Sequence, residues 1–505
     1  MIVKLMLNKS EQEKVAVYRL LASLPENSYS KNGLMDEFSF SYNRLCAVLD
    51  EIDKDLQHLS SGRKTLLYNG KVTVASDMLE LEKYMTFVLK ESITHKFLLA
   101  LLLEEGTSEQ FCSKYQVSES YLRRNIKKLI TYLNRFKVHV TISTLKISGD
   151  ERLIRILFTF LIWNSSFGEE LIMPPHLVEK MMHAFDPILK LPPKANYSFG
   201  YNQRLRQLHG KILYIRFNRG HFLKDDKGYD ALIAENYTGC YQLLQEILGT
   251  SAEMADTEAR FLAFLAFYGP TYSFENDPLF DVPRGELEQR SEDIFAFFTY
   301  FNQKILHPLL KNYPNPKRVV LLEANLSNIF FNYLIFKQPI PFFSFFQHEA
   351  FQNDQVIFPI IYQRINEFLT LLSERGSWIK NCIKDMTLIL TQLILPTLRE
   401  HQKSIKLNVS ILSVDNYVYI NRVTSLLTDL SFVELVPYQA AECQAIDLLI
   451  YPSKLFQQVD ETLPSITLVP ALPQEEVFSV YEQMKVLYEE KLRNYFMAIL
   501  EEGNK

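Results

Sequence analysis

The stretch "FCSKYQVSESYLRRNIKKL", Phe111–Leu129, decides how the front of this sequence folds. Apolar residues recur at helical spacing in its second half, and four basic side chains stand between them: Arg123, Arg124, Lys127 and Lys128. Ser118 precedes the periodic part and suits the N-cap position, where a hydroxyl accepts hydrogen bonds from the first free amides of a helix. The stretch therefore predicts a helix with one apolar and one basic face.

The flanking residues complete a helix-turn-helix pattern. Thr94–Leu103 and Ser108–Tyr115 are predicted helices, Gln116 begins a turn, and a third helix runs from Ser118 to about Phe136. The following "VHVTISTLKISG" alternates with period two, which predicts a strand pair. In a winged helix-turn-helix, the third helix enters the major groove and basic side chains bind phosphates. The residues predicted to contact DNA in this unit are Ser118, Ser120, Tyr121, Arg123, Arg124, Lys127 and Lys128.

An earlier stretch, "MDEFSFSYNRLCAVLDEI", repeats this pattern with a constant offset of 77 residues. Ser41 falls on Ser118, and the apolar positions of the two stretches coincide, so two copies of one unit are indicated. An Asn-Gly pair further on predicts the hairpin turn of a second wing. The candidate DNA contacts of this first copy are Tyr42, Asn43 and Arg44, and the alternative is that its third helix is mainly structural. Acidic residues crowd the end of its third helix, so the second copy is expected to carry most DNA affinity.

The first 150 residues are mildly basic, and the rest of the chain is acidic. Of the 505 residues, 47% are hydrophobic and 22% charged, which is typical of a globular chain of several domains. Residues 1–150 carry 21 Lys and Arg against 18 Asp and Glu, and the remainder carries 33 against 41. A nucleic-acid module is therefore expected at the front of the chain, and a chain that binds nucleic acid along its whole length is excluded.

The sequence also argues against a metal-binding, a membrane-attached and a nucleotide-binding protein. The five cysteines are scattered without a CxxC spacing, so neither zinc nor another metal is expected, and a reducing cytoplasm fits this usage. No signal peptide and no apolar run of about 20 residues is evident, so no membrane attachment is expected. The loop "SVDNYVYIN" near the C-terminus lacks the glycines of a nucleotide site, so no cofactor is predicted.

The pattern beyond the second wing predicts a mainly α, multidomain chain. Helical periodicity dominates to about residue 395, and strands then alternate with helices, as in a small α/β sheet. The predicted domains are two winged helix-turn-helix units at 1–76 and 77–150, two helical bundles at 151–280 and 281–400, and an α/β domain at 401–505.

This domain order resembles the Mga/AtxA family of Gram-positive virulence regulators. The matching stretches are "CSKYQVSESYLRRNIKKL", "SGDERLIRILF" and "HGKILYIRFNRGHFL", and the last is similar to the histidine-bearing segment of a phosphotransferase-system regulation domain. The tail resembles a phosphotransferase-system IIB component, although its first loop has no cysteine. The resemblance implies a homodimeric regulator of transcription, bound to double-stranded promoter DNA and dimerised through the bundles and the tail.

The resemblance also implies histidine phosphorylation by phosphocarrier proteins of the sugar phosphotransferase system. His209 matches the first such histidine, and His307 lies close to "NQKIL", an echo of the "HGKIL" that begins at His209. Three rival interpretations remain: an RNA-binding antiterminator, an enzyme of the phosphotransferase system, and a scaffold. The repeated helix-turn-helix favours DNA, and the tail's first loop offers no cysteine or histidine for transfer, so no enzymatic activity is expected.

Overall fold

The computed structural model describes most of the chain, and its elements group into two compact units. The described residues are 2–38, 40–59, 66–75, 79–185, 199–224, 238–266, 268–269, 271–275, 292–341, 356–374, 378–412, 417–438, 446–451, 463–468 and 474–502. The first unit consists mainly of residues up to 267, and the second mainly of residues from 268 onward.

The first unit opens with four helices and three strands. They are α1 (Ile2–Met6), α2 (Lys9–Ser23), β1 (Asn27–Tyr29), α3 (Lys31–Met35), α4 (Tyr42–Leu59), β2 (Leu67–Tyr68) and β3 (Lys71–Val74). The strands form an antiparallel sheet in the order β1-β3-β2. Asn69 and Gly70 both have positive φ, 48° and 74°, as a two-residue turn between twisted strands requires. The predicted hairpin is confirmed.

The second copy follows directly and matches its predicted elements closely. They are α5 (Leu81–Glu91), α6 (Ile93–Leu103), α7 (Ser108–Tyr115), α8 (Glu119–Asn134), β4 (His139–Thr141) and β5 (Lys146–Ser148). Thr107 caps α7 in a reciprocal capping box with Gln110, and β4 pairs antiparallel with β5. The repeat is therefore a repeat of structure as well as of sequence.

Five further helices complete the described part of the first unit: α9 (Glu151–Ser166), α10 (Pro175–His183), α11 (Phe199–Asn218), α12 (Thr238–Leu248) and α13 (Ala252–Ala266). One hydrophobic core extends from Leu5 through both winged units into α9 and reaches Ile212 on α11. Because this core crosses positions 76 and 150, the winged units and the first helices stabilise one another. The domain boundaries themselves stay predictions, and those at 76 and at 280 lie outside the described residues.

The second unit is helical and ends in a small sheet. Its elements are α14 (Glu292–Phe301), a π-helical turn (Asn302–Leu306), α15 (Pro316–Phe336), α16 (Ile357–Ser373), α17 (Ile383–Gln402), β6 (Leu407–Ile411), α18 (Tyr417–Thr428), β7 (Val433–Leu435), β8 (Leu448–Tyr451), β9 (Ser465–Thr467) and α19 (Gln474–Glu502). The four strands are parallel in the order β7-β6-β8-β9. The chain as described is mainly helical, and its likeness to a IIB component stays a prediction.

Helix α15 is long and apolar enough to cross a bilayer, as judged by length and composition within the described residues. An apolar helix of this length was not expected from the sequence. About 67% of its most apolar window is buried inside the protein, and its buried residues include Asn325, Asn328 and Asn332. Asn325 exchanges hydrogen bonds with the backbone of Tyr272. Buried amides with protein partners are typical of a core helix.

Candidate nucleic-acid interface

Helix α8 is oriented by the burial of one stripe of apolar side chains. Leu122, Ile126, Leu129 and Leu133 are at most 1% exposed. Ser118 Oγ accepts a hydrogen bond from the amide of Tyr121 at 3.2 Å and so begins the helix at the predicted residue. Gln116 takes the left-handed conformation, φ 53°, that turns the chain from α7 into α8. The opposite face of α8 is consequently exposed.

The exposed face of α8 carries the four predicted basic side chains. Arg123 donates to Glu119 Oε1 through Nε at 3.0 Å and Nη2 at 2.5 Å, and its side chain is 54% exposed. An exposed pair at this spacing contributes only about 0.3–0.5 kcal/mol, so a phosphate can replace Glu119 at little cost. Arg124 lies over the ring of Tyr121 at 5.4 Å, and both Lys127 and Lys128 are exposed. The face can present four cations to a polyanion.

The N-terminal segment contacts α8, which the sequence analysis did not foresee. Lys128 Nζ donates to the carbonyl of Lys4 at 3.2 Å, and Asn8 Nδ2 approaches Tyr121 Oη at 3.4 Å. These partners lie more than 110 residues apart in sequence. No local pattern marks such contacts, because periodicity and capping report only on neighbours within a few residues.

The corresponding helix of the first copy, α4, presents fewer cations. Tyr42 is 43% exposed and Asn43 is also exposed, as predicted for base contacts. Arg44 is committed within the domain, since Nε donates to Glu13 and Nη2 to Ser10, both at 2.7 Å. Its guanidinium is therefore already matched by a carboxylate, which weakens the prediction that it contacts DNA.

The acidic residues at the end of α4 have structural partners. Lys14 Nζ lies 2.6 Å from Asp55 and 4.0 Å from Glu51, and Asp55 also accepts a hydrogen bond from Tyr84. Asp53 accepts the backbone amide of Leu66 at 2.6 Å. These carboxylates, which are expected to repel phosphate, thus also help to fix α2, α4 and the wing.

His209 lies on α11 in a desolvated environment. The residue as a whole keeps some exposure, but burial of the ring lowers its pKa to about 4, so it is neutral at physiological pH. Nδ1 lies 3.2 Å from Thr159 Oγ1, whose hydroxyl donates to the carbonyl of Arg155. Because that hydrogen is committed, Nδ1 must donate to Thr159, which leaves the lone pair of His209 on Nε2.

His307 has a different environment in the second unit. Its side chain is 56% exposed, and Nε2 lies 2.9 Å from Glu323 Oε1. Asn302, the residue that aligns with His209, is buried and donates to the same carboxylate at 3.5 Å. The two predicted histidines thus differ in exposure and in partner.

One cluster resembles a Ser-His-acid triad. His95 Nδ1 lies 2.9 Å from Ser165 Oγ, and its Nε2 lies 3.2 Å from Glu170 Oε1. Ser165 is 1% exposed and donates its hydroxyl hydrogen to the carbonyl of Leu161 at 2.8 Å. A buried hydroxyl committed to the backbone is not an available nucleophile, so the cluster joins α6 to α9. Within the described ranges, no group of three or more His, Cys, Asp or Glu side chains could hold a metal ion.

Comparison with known proteins identifies the second winged unit. Residues 77–162 match the family model of the Mga helix-turn-helix domain, which spans α5 to β5 and enters α9. The resemblance to Mga-type regulators is thereby confirmed over these residues. The chain carries a DNA-binding domain of transcription regulators, which points to a regulator acting on intracellular DNA rather than to an enzyme. No curated protein matches the chain.

Reversing charge on α8 should weaken DNA binding more than removing the polar side chains of α4. Arg123→Glu with Arg124→Glu removes two phosphate contacts, so we expect about tenfold weaker binding or more, and a salt slope smaller by about two. Tyr42→Ala with Asn43→Ala should have the smaller effect. Titration of duplex DNA at several salt concentrations measures both, with Lys54→Glu on α4 as the control for a charge reversal on the other helix. The opposite ranking would contradict the assignment.

The desolvation of His209 predicts a pH-dependent stability. Its pKa is about 4 in the folded protein, against 6.5 for an ordinary histidine. As pH falls below 6.5, the unfolded chain takes up a proton that the folded chain does not, so stability present at neutral pH is lost towards pH 4. Wild-type protein should therefore lose more stability between pH 7.5 and 5 than His209→Asn in thermal unfolding. Exposed His176→Asn should behave like wild type; equal losses in all three proteins would refute the prediction.

Proposed function

We propose that this chain, which carries a Mga helix-turn-helix domain, is a homodimeric cytoplasmic transcription regulator that binds promoter DNA mainly through α8. The observation that carries the proposal is the exposed face of Arg123, Arg124, Lys127 and Lys128 on a helix whose opposite stripe is fully buried. A helix with this orientation suits the major groove, where basic side chains release counterions from phosphates.

The two winged units have unequal tasks in this proposal. Helix α8 supplies affinity, because its face has four basic side chains and one acidic partner, Glu119. Helix α4 contributes base recognition through Tyr42 and Asn43, which are exposed near its N-terminus. Ser118 and Ser120, whose hydroxyls lie 3.1 Å apart, stand at the N-terminus of α8, where backbone and hydroxyl donors suit a phosphate.

The helical regions serve as a sensor of carbohydrate supply in the same proposal. Phosphocarrier proteins of the sugar phosphotransferase system would phosphorylate His209 or His307. What supports His209 is its neutral state and the lone pair on Nε2, since a neutral nitrogen with a free lone pair is the form that attacks a phosphoryl group. Phosphorylation adds a charge of about −1.5 to −2.

Dimerisation would connect this sensor to DNA. A dimer joins two DNA-binding faces, and linked half-sites bind far more tightly than one because the second contact becomes intramolecular. A charge added on α11 that shifts the dimer equilibrium thus changes promoter occupancy. The bundles and the C-terminal α/β domain are the proposed dimer contacts.

Duplex DNA and hairpin RNA distinguish the proposal from an antiterminator. We expect the protein to bind duplex DNA at physiological salt, with affinity falling steeply as salt rises, and to bind hairpin RNA of equal charge at least about tenfold more weakly. Side-by-side gel shifts under one buffer make the comparison. Tighter binding to the hairpin would replace the DNA proposal with the RNA-binding one.

A charge placed at His209 tests the sensor. His209→Asp should change the dimer dissociation constant by about fivefold or more, the usual scale of coupling between sites, and DNA affinity should change with it. Sedimentation velocity and DNA titration provide the two readouts, and His307→Asp is measured in parallel. Exposed His176→Asp is the matched control, and neutral His209→Asn separates added charge from lost packing. A His209→Asp protein that dimerises and binds like the parent would exclude His209 as the switch.

A further inference from the structure

A network of charged side chains links the second winged unit to the helices that follow it. It draws on the end of α6, on α9, on α11 and on α13. Its members are Glu104, Glu151, Arg155, Arg216, His221 and Glu258.

The centre of the network is almost fully buried. Arg155 lies 2.5 Å and 3.0 Å from the two carboxylate oxygens of Glu258, and these side chains are 3% and 2% exposed. Arg155 Nε also donates to Glu151 at 3.0 Å. Charges so far from water are stable only while each has its partner, because a single desolvated ion costs several kcal/mol.

Arg216 extends the network to the winged unit. Its guanidinium is fully buried and donates to Glu151 through Nε at 2.9 Å and Nη2 at 2.6 Å. The remaining nitrogen, Nη1, lies 3.5 Å from Glu104 Oε1. His221 Nε2 contacts the same oxygen of Glu104. Glu104 therefore contacts the guanidinium of Arg216, which lies on α11, and the imidazole of His221, which lies just after that helix.

The net charge of the network depends on the residue at position 221. Apart from His221, the network has three carboxylates and two guanidinium groups, so these five groups carry one negative charge in excess when all are ionised. Arg155 also donates to the backbone carbonyl of His221 at 2.9 Å, which fixes the position of that residue. A positive charge at position 221 balances the network, and a negative charge there faces Glu104 directly.

Glu104 ends α6 with φ 46°, in the left-handed region, where helices often place glycine. Its side chain contacts Arg216 and His221 from this position.

Helix α6 is attached to neighbouring helices at both of its ends, and it packs against α8. The cluster of His95, Ser165 and Glu170 fixes its start to α9, and Glu104 fixes its end to α11. Helix α6 packs against α8, and Thr94 Oγ1 donates to the carbonyl of Asn125 on α8 at 3.4 Å. The orientation of α8 relative to α9 and α11 therefore depends on these two attachments.

We propose that Glu104 is a positioning residue for DNA binding, and that the charge at position 221 sets how firmly it holds the winged unit. The inference rests on the proposed function and adds the contact through which the helical region acts on α8. According to this proposal, Glu104 increases the affinity for DNA, although its negative charge by itself would repel phosphate.

Neutralising Glu104 distinguishes positioning from simple repulsion. If Glu104 acted only by repelling phosphate, Glu104→Gln would tighten binding; as a positioning residue, it should weaken binding by about three- to thirtyfold, the range measured along coupling networks. Glu105→Gln is the matched control, since Glu105 is the adjacent exposed carboxylate and pairs with Lys114 at 2.8 Å. The control should leave affinity within about twofold of wild type or tighten it.

The charge at position 221 supplies the decisive series. DNA affinity should fall in the order His221→Lys, His221→Gln, His221→Glu. Glu104→Gln, which should weaken binding of the otherwise wild-type protein, should tighten binding of the His221→Glu variant, because it removes the carboxylate that faces the new one. Hydrogen exchange of residues 104–107 should be faster in each variant that binds more weakly. Rescue of His221→Glu by Glu104→Gln also excludes a general loss of folding as the cause.

The outcomes separate this inference from the proposed function. A wild-type protein that does not bind duplex DNA would refute the proposed function, while the exchange measurements would still test the attachment. Binding by wild type, with unchanged or tighter binding by Glu104→Gln or no rescue of His221→Glu by Glu104→Gln, would overturn the positioning role alone.

Discussion

Burial of one stripe of α8 is the interaction on which the DNA-binding surface depends. Leu122, Ile126, Leu129 and Leu133 each lose nearly all contact with water, and burial of such a side chain contributes about 1.5–3 kcal/mol. Rotating α8 by one residue would expose this stripe and press Arg123 or Lys127 into the core. The cost of burying an unpaired cation is far larger than any gain on the surface. The hydrophobic core thus fixes where the cations point.

The attachment of the winged unit to α9 and α11 has a different physical character. Apolar contacts tolerate small sliding movements, whereas paired buried charges tolerate neither displacement nor a change of protonation. The core that runs from Leu5 to Ile212 gives the first unit its cohesion. The network around Arg155 and Arg216 gives one particular orientation within that unit. Cohesion and orientation are therefore supplied by separate sets of residues.

Local signals in the sequence predicted elements of both copies of the repeat well. The Ser118 cap, the 3.6-residue period of α8 and the Asn69-Gly70 turn each depend on residues within a few positions. The ion pairs joining α6, α9, α11 and α13 link residues up to 117 positions apart, and no periodicity reports on such distances. Arg44 illustrates the limit: its helix position was predicted, but its pairing with Glu13 depends on how α2 packs. The tail's first loop falls partly outside the described residues, at 413–416.

The packing of α1 on α8 has a practical consequence for work with this protein. The carbonyl of Lys4 accepts from Lys128, and Asn8 meets Tyr121, so the first few residues run alongside the basic face. An affinity tag or fluorescent fusion joined ahead of Ile2 would emerge beside that face. A polyhistidine tag would add cations there, and a bulky partner would obstruct a duplex sterically. Recombinant protein intended for binding measurements is better tagged elsewhere, or its tag removed by a protease first.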